Sequence, residues 1–345
     1  MMPAHDIENP FSVDTANIAI AKIVDRKTEL DEVRTAVLRR ESVLVVGGNG
    51  VGKTCMLRKL RHEIAEMRPR HLFVHLNVHD LAKGAEYFLP ATVQGIFDSA
   101  WTRLFGRPPS ERLYALDGKV DIEEHLKKRL HHYMQMFRIL RPSSTAFAAT
   151  RKNELALAKL VGTDIGETYS ATRTVGDLKP NECLDLAGEL VAMLKEDDID
   201  QVVVFGDEAN HINPETEIDI VKQNLEAFAA SDVQFVLTMR DDAFAQASAI
   251  KNAFPCVVPL NPFRTAQHVR DLLDVYAPCP ACSENHISFE SRAIDKIHEI
   301  TGGHPREIQL LCQRAWQNAL SAHRETIDAG ALLAAVLEVY RLTLK

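Results

Sequence analysis

Two short stretches of the chain carry residue types whose spacing suits phosphate chemistry. The first, Gly47-Gly48-Asn49-Gly50-Val51-Gly52-Lys53-Thr54, fits the pattern GxxxxGK[ST]. Glycines in such a run let successive backbone N–H groups turn toward phosphate oxygens. Lys53 would neutralise the β and γ phosphates of a nucleoside triphosphate, and Thr54 would offer its hydroxyl to magnesium. Cys55, the next residue, completes this set of nucleotide-binding candidates. Background residue frequencies yield a match of this kind in roughly one chain in a hundred of this length. The alternative is a glycine turn beside a surface lysine.

A phosphate cradle hydrolyses nothing by itself, so a second acidic element is required. Val202-Val203-Val204-Phe205-Gly206-Asp207-Glu208 supplies it, an apolar run ending in two carboxylates. Asp207 would hold the magnesium shell and Glu208 would polarise an attacking water, in a site where positioning and electrostatics set the rate. Acidic residues also follow strands simply because they suit turns.

These residues need particular elements to position them. Ser42 to Val46 reads as a buried strand running into the glycine run, and Leu57, Leu60 and Ile64 recur after it at helical spacing. Strand, loop and helix therefore stand in the order that a phosphate site needs. Leu72 to Val78, Gln201 to Phe205, Val233 to Thr238 and Cys256 to Leu260 are predicted as four further strands. Residues 27 to 39 form a predicted helix through Leu30, Val33, Val37 and Leu38. Alternation of this kind implies an α/β fold with a parallel sheet covered by helices.

Roughly 120 residues separate the second and third strands, far more than an ordinary crossover, which predicts a helical insertion at about 82–200. Its clearest segment is Ile122 to Leu140, with Ile122, Leu126, Leu130, Tyr133, Met134 and Phe137 on one face; the pattern disappears between Gly162 and Pro180. Beyond Pro262 the chain is helical again, with Ile308, Leu311, Cys312, Ala315 and Trp316 in one stripe. The expected organisation is a core over 1–262 carrying the insertion, followed by a small helical domain over 263–345.

The order and spacing of these motifs resemble P-loop ATPases of the AAA+ and STAND groups, especially the branch of Orc1/Cdc6-like initiators and archaeal-type ATPases. The resemblance spans most of residues 20 to 340 and implies a three-layer sandwich with a five-stranded parallel sheet of the AAA+/ASCE type and a helical lid. Ile23-Val24-Asp25-Arg26-Lys27-Thr28-Glu29-Leu30 is similar to the family's GRxxEL box near the adenine, with Asp25 in place of glycine. It implies a nucleotide-binding role for Arg26. Asn77 matches the polar residue that can hold the catalytic glutamate in an inactive pose, or it is a strand-end asparagine bonding its own backbone.

Thr238-Met239-Arg240 stands where the family places sensor 1, and Arg240 resembles the STAND version that approaches the γ phosphate. A strand-end arginine can also pair with a surface acid. Gly302-Gly303-His304-Pro305-Arg306 is similar to the lid motif, which implies that Pro305 supports the base pocket and that Arg306 acts as sensor 2. A helix start uses Gly and Pro in the same way. Lys251 lies near the family's trans-acting arginine finger but lacks a guanidinium fork.

Outside this set, Cys279-Pro280-Ala281-Cys282 followed by His286 offers three zinc-type ligands, with His268 or His298 as a candidate fourth. No second CxxC accompanies it, so the other reading is a loop with reduced thiols. Lys127, Lys128, Arg129, His131, His132, Arg138 and Arg141 concentrate positive charge in the insertion, and Arg58, Lys59, Arg61, Arg68 and Arg70 do so near the phosphate-loop helix. These faces could meet nucleic-acid phosphates or an acidic protein, or simply be solvated.

A net charge of -8 and a pI near 6.0 argue against a surface coated in positive charge. With 46% hydrophobic and 26% charged residues, the 345-residue chain can bury a sizeable core. No run reaches the roughly 18 apolar residues of a membrane span, and the acidic start through Asp6, Glu8 and Asp14 lacks a signal peptide's apolar stretch. A cytoplasmic location with reduced cysteines is expected.

The resemblance implies an ATP- and magnesium-dependent switch that assembles as a nucleotide-dependent homo-oligomer and remodels or loads a protein or DNA partner. The alternative is a slow-turnover STAND-type signalling ATPase of a defence or mobile-element system, with its effector on another chain. A nonenzymatic scaffold is a third reading, against which Lys53, Thr54, Asp207 and Glu208 count. The chain ends too soon after Arg306 for the winged-helix domain of initiators, so direct origin binding is not expected.

Overall fold

A strand with apolar residues on both faces needs cover on both faces, and the centre of this protein's sheet is built from such strands. In the computed structural model the described residues are 26–76, 85–105, 180–207, 209, 225–226, 228–230, 232–246, 252–276 and 287–343. The first elements are helix α1 (Lys27–Leu38), strand β1 (Val43–Val46), helix α2 (Lys53–Met67) and strand β2 (His71–Leu76). Helices α3 (Ala85–Phe105) and α4 (Pro180–Glu196) come next, then β3 (Gln201–Gly206), β4 (Val233–Met239), the short α5 (Asp241–Gln246) and β5 (Cys256–Pro259).

The five strands form one parallel sheet in the order β2-β3-β4-β1-β5. Side chains alternate across a strand, and the two faces separate accordingly. Val43, Val45, Val203, Phe205, Val236 and Val258 pack with α1 and α2 on one side. Leu44, Val46, Val202, Val204, Phe235 and Leu237 pack on the other, with α3 and α4. Phe88, Phe97 and Trp101 of α3 are fully buried there. A side chain on Gly95 of α3 would come within 2.8 Å of Val74, so glycine permits the helix to lie close on β2. The sheet with its two helical layers is the three-layer α/β sandwich that the alternating pattern implies.

Of the stretch 82–200, the described helices α3 and α4 belong to this sandwich; the helix expected over Ile122–Leu140 lies outside the described residues.

After β5 come helices α6 (Ala266–Tyr276), α7 (Ser291–Thr301), α8 (Pro305–Ser321) and α9 (Ala329–Thr343). They share a second apolar cluster, in which the predicted stripe Ile308, Leu311, Cys312, Ala315 and Trp316 is wholly buried. Two strands of two residues each, β6 (Ser288–Phe289) and β7 (Thr326–Ile327), pair in parallel within this part. Strands this short have no readable periodicity. No described helix is long and apolar enough to cross a membrane.

Candidate nucleotide site

The glycine run leaves β1 and is tied at its base to both neighbouring strands. The amide of Gly47 donates to the Met239 carbonyl at 3.1 Å, and the amide of Leu260 donates to the Val46 carbonyl at 2.7 Å. A Cβ on Gly47 would lie 2.4 Å from the Leu260 carbonyl oxygen, so only glycine fits there. Gly50 and Gly52 have φ of 77° and 99°, in the left-handed region that glycine enters without strain, and Gly52 caps the start of α2.

Lys53 opens α2 and is buried, and its ammonium reaches back to donate to the carbonyls of Gly47 at 2.8 Å and Gly48 at 2.9 Å. The loop is thereby closed around the Lys53 ammonium.

Sheet register delivers the acid. Residues 203, 205 and 207 fall on the same face as residues 234, 236 and 238, which is the face covered by α2. Asp207 therefore emerges from β3 beneath the start of α2, 8% exposed. The Thr54 hydroxyl donates to Asp207 Oδ2 at 2.5 Å, and the hydroxyl of Thr238, fully buried on β4, donates to Asp207 Oδ1. Thr54 and Asp207 together present hard oxygen donors of the kind magnesium takes. That donor chemistry fits the ion, which would neutralise phosphate charge between them.

Arg26 stands at the edge of the same loop. Its backbone holds φ 74°, and its guanidinium is buried, donating to the Val51 carbonyl at 3.1 Å and to Glu29 at 3.4 Å. The same group lies 4.9 Å from the centre of the Phe263 ring, a cation–π contact. Phe263 is also gripped by its backbone: its amide donates to the Gly303 carbonyl at 2.8 Å, and its carbonyl lies 2.9 Å from His298 Nε2. A Cβ on Gly303 would lie 2.1 Å from the Phe263 carbonyl oxygen.

The turn through Gly302 and Gly303, with φ of 57° and 76°, leads into α8, where Pro305 holds the first position. Here α8 meets the glycine run: the amide of Arg306 donates to the Gly50 carbonyl at 3.3 Å. A side chain on Gly48 would come within 3.9 Å of the His304 ring and 3.7 Å of the Asp241 carboxylate.

The structure thus brings Gly47, Gly48, Gly50, Val51, Gly52, Lys53, Thr54, Arg26, Asp207, Pro305 and Arg306 into one region. Cys55 is half-buried behind it against the C-terminal apolar cluster. Burial pushes its thiol up, with Arg58 pulling it down and Asp207 pushing it up. Arg240 stands at the end of β4, half exposed, and its guanidinium pairs with Asp242. Glu208, Asn77, Lys251, Cys279, Cys282 and His286 lie outside the described residues. Among the described residues no group of three or more His, Cys, Asp or Glu side chains could hold a metal ion.

Phe263 is a site residue that sequence reasoning missed, and Thr238, named only within the Thr238-Met239-Arg240 segment, was given no role of its own. The available signal for Thr238 was one hydroxyl near the end of the otherwise apolar Val-Leu-Thr-Met stretch of β4, on the face that also carries Asp207.

No family model matches the chain, and no curated protein matches it. Among solved structures, Cdc6p from Pyrobaculum aerophilum is similar at 14% identity over 93% of this chain and 68% of that one, with a TM-score of 0.50. The Orc1 protein of Aeropyrum pernix, solved in complex with DNA, matches at 13% identity over 92% and 66%, TM-score 0.46. The RuvB Holliday junction branch migration motor of Thermotoga maritima matches at 13% over 93% and 73%, TM-score 0.43. Likeness at this identity is likeness of fold. The five-stranded parallel sheet, its flanking helices and the first of these structures together define the AAA+ type of P-loop α/β fold.

Proposed function

We propose that this protein is a magnesium-dependent ATPase whose ATP cycle switches the state of a partner. The observation that carries the reading is the convergence of Lys53, Thr54 and Asp207, a buried ammonium, a hydroxyl and a carboxylate at the mouth of one glycine loop. Backbone amides of Gly47 to Gly52 and the Lys53 ammonium would grip the phosphates, Thr54 and Asp207 would hold the metal, and Glu208 would orient the attacking water.

The reading includes a division into a core over 1–262 and a lid over 263–345. Arg306 and Arg240 are then candidate sensors of the γ phosphate, and Arg26 and Pro305 border the base. The contact between Arg306 and Gly50 and that between Arg26 and Phe263 support it, because they join the cradle to the segment after Pro262 at the point where nucleotide would enter. Occupancy of the cradle would bias how these parts close on one another.

In this reading the partner is DNA or another protein, and the chain acts as a nucleotide-dependent oligomer. The test is ATP binding and phosphate release by the purified chain with magnesium, with and without DNA, alongside light scattering in each nucleotide state. Turnover stimulated by DNA supports loading or remodelling, and very slow turnover insensitive to DNA supports the signalling alternative. Absence of any affinity for nucleoside triphosphates overturns both.

A further inference from the structure

We infer that Thr238 is a positioning residue for the metal half of the site, fixing Asp207 so that its other oxygen stays turned toward Thr54 and the ion. The inference rests on the nucleotide-site reading above. A buried carboxylate is costly unless its lone pairs are met, and a buried hydroxyl is costly unless it is bonded. Here one contact serves both groups. The hydroxyl of Thr238, at 0% exposure, donates to Asp207 Oδ1, and Asp207 is itself 8% exposed.

The two hydroxyls on Asp207 are not equivalent. Thr54 is exposed at the first turn of α2, on the side open to a ligand, and donates to Oδ2. Thr238 is sealed inside the sheet on the neighbouring strand, where β3 and β4 run in register through Gly206 and Leu237. When Thr54 turns an oxygen lone pair to a metal, its proton still points to Asp207 Oδ2, so Thr54 moves with the ligand side of the site. Thr238 cannot follow any ligand, so it remains the fixed anchor that keeps Oδ2 facing the ion or its water shell. Groups that orient a metal's carboxylate in this way change metal affinity without touching the ion.

The test is binding of a fluorescent ATP analogue to the full chain, first in EDTA and then across a magnesium titration. Thr238→Val keeps shape but removes the donor. Measured against its own affinity in EDTA, it is expected to need about 10- to 100-fold more magnesium to reach the tight state. Thr238→Ser, which keeps the donor, is expected to restore the midpoint. An unchanged magnesium midpoint in Thr238→Val overturns the inference.

If Thr238→Val folds poorly by thermal melting, Thr238→Ala and Thr238→Ser separate packing from hydrogen bonding. A shift with Ala alone supports the anchor, and equal shifts with both overturn it. An unaltered protein that binds the analogue tightly with no response to Thr238 substitutions removes this inference alone, whereas one that never binds removes the nucleotide-site reading beneath it.

Discussion

The backbone amide of Arg306 donates to the carbonyl of Gly50, joining the first turn of α8 to the crown of the glycine loop 256 positions earlier in the chain (306 minus 50). Gly50 holds φ 77°, and a Cβ there would lie 2.9 Å from Arg306 Cβ. The contact exists because position 50 has no side chain. The loop's shape and its docking to α8 therefore depend on the same residue.

Gly50→Ala should destabilise the fold by about 1–3 kcal/mol, combining left-handed strain with a clash against the Arg306 stem. Thermal denaturation reads the loss, and nucleotide affinity should fall with it. A melting temperature and affinity equal to those of the unaltered protein would contradict the described packing.

Arg26→Ala removes a buried guanidinium that bonds the Val51 carbonyl and covers the Phe263 ring, and should cost about 2 kcal/mol. Arg26→Lys should recover little, because an ammonium lacks the planar fork that meets both partners. Comparable stability of the Lys variant and the unaltered protein in urea titration would show that charge alone suffices.

Lys53→Ala should abolish ATP binding, because it removes the buried ammonium held inside the glycine loop by the Gly47 and Gly48 carbonyls. Glu208→Gln should retain ATP and lose turnover, with the nucleotide trapped in the closed state. Isothermal titration and phosphate release separate these two effects; normal turnover by Glu208→Gln would remove its role in activating water.

Asp232 accepts from Lys195 at 2.5 Å and from Arg40 at 2.6 Å at the opposite end of the sheet. The hydrogen bond from Lys195, then the charges of Lys195 and Arg40, hold its carboxyl below the ordinary value of 3.8 despite some desolvation. A depressed folded value means stability that is present above the unfolded value and lost as pH falls through the folded one. Asp232→Asn should therefore lower stability at neutral pH by about 0.5–1 kcal/mol, a small figure because both cations are exposed and screened. The difference from the unaltered protein should shrink in acid unfolding curves as pH falls from the ordinary carboxylate value through the lower folded one.

Much of the sheet was legible in the chain itself. Val43 to Val46 and Gln201 to Gly206 are apolar runs bounded by turn residues, and buried parallel strands must look like this whatever surrounds them. The glycine loop was equally plain, since its chemistry is carried by contiguous backbone. Less visible was the pairing of β6 with β7, two residues each, because so short a strand leaves no period to detect. The Arg240 guanidinium illustrates another limit: its place at the end of β4 follows from sequence, but its pairing with Asp242 depends on local turn geometry.

The chain by itself determined where the glycine loop would form and which strands would carry it, since spacing and periodicity are local properties of a polypeptide. Only the tertiary structure decided that Thr54 and Thr238 share one carboxylate, across 153 and 31 positions respectively, and that Arg26 lies over Phe263. Those contacts follow from strand order and register, which bring distant residues to one face, and no short stretch of sequence encodes which strands become neighbours.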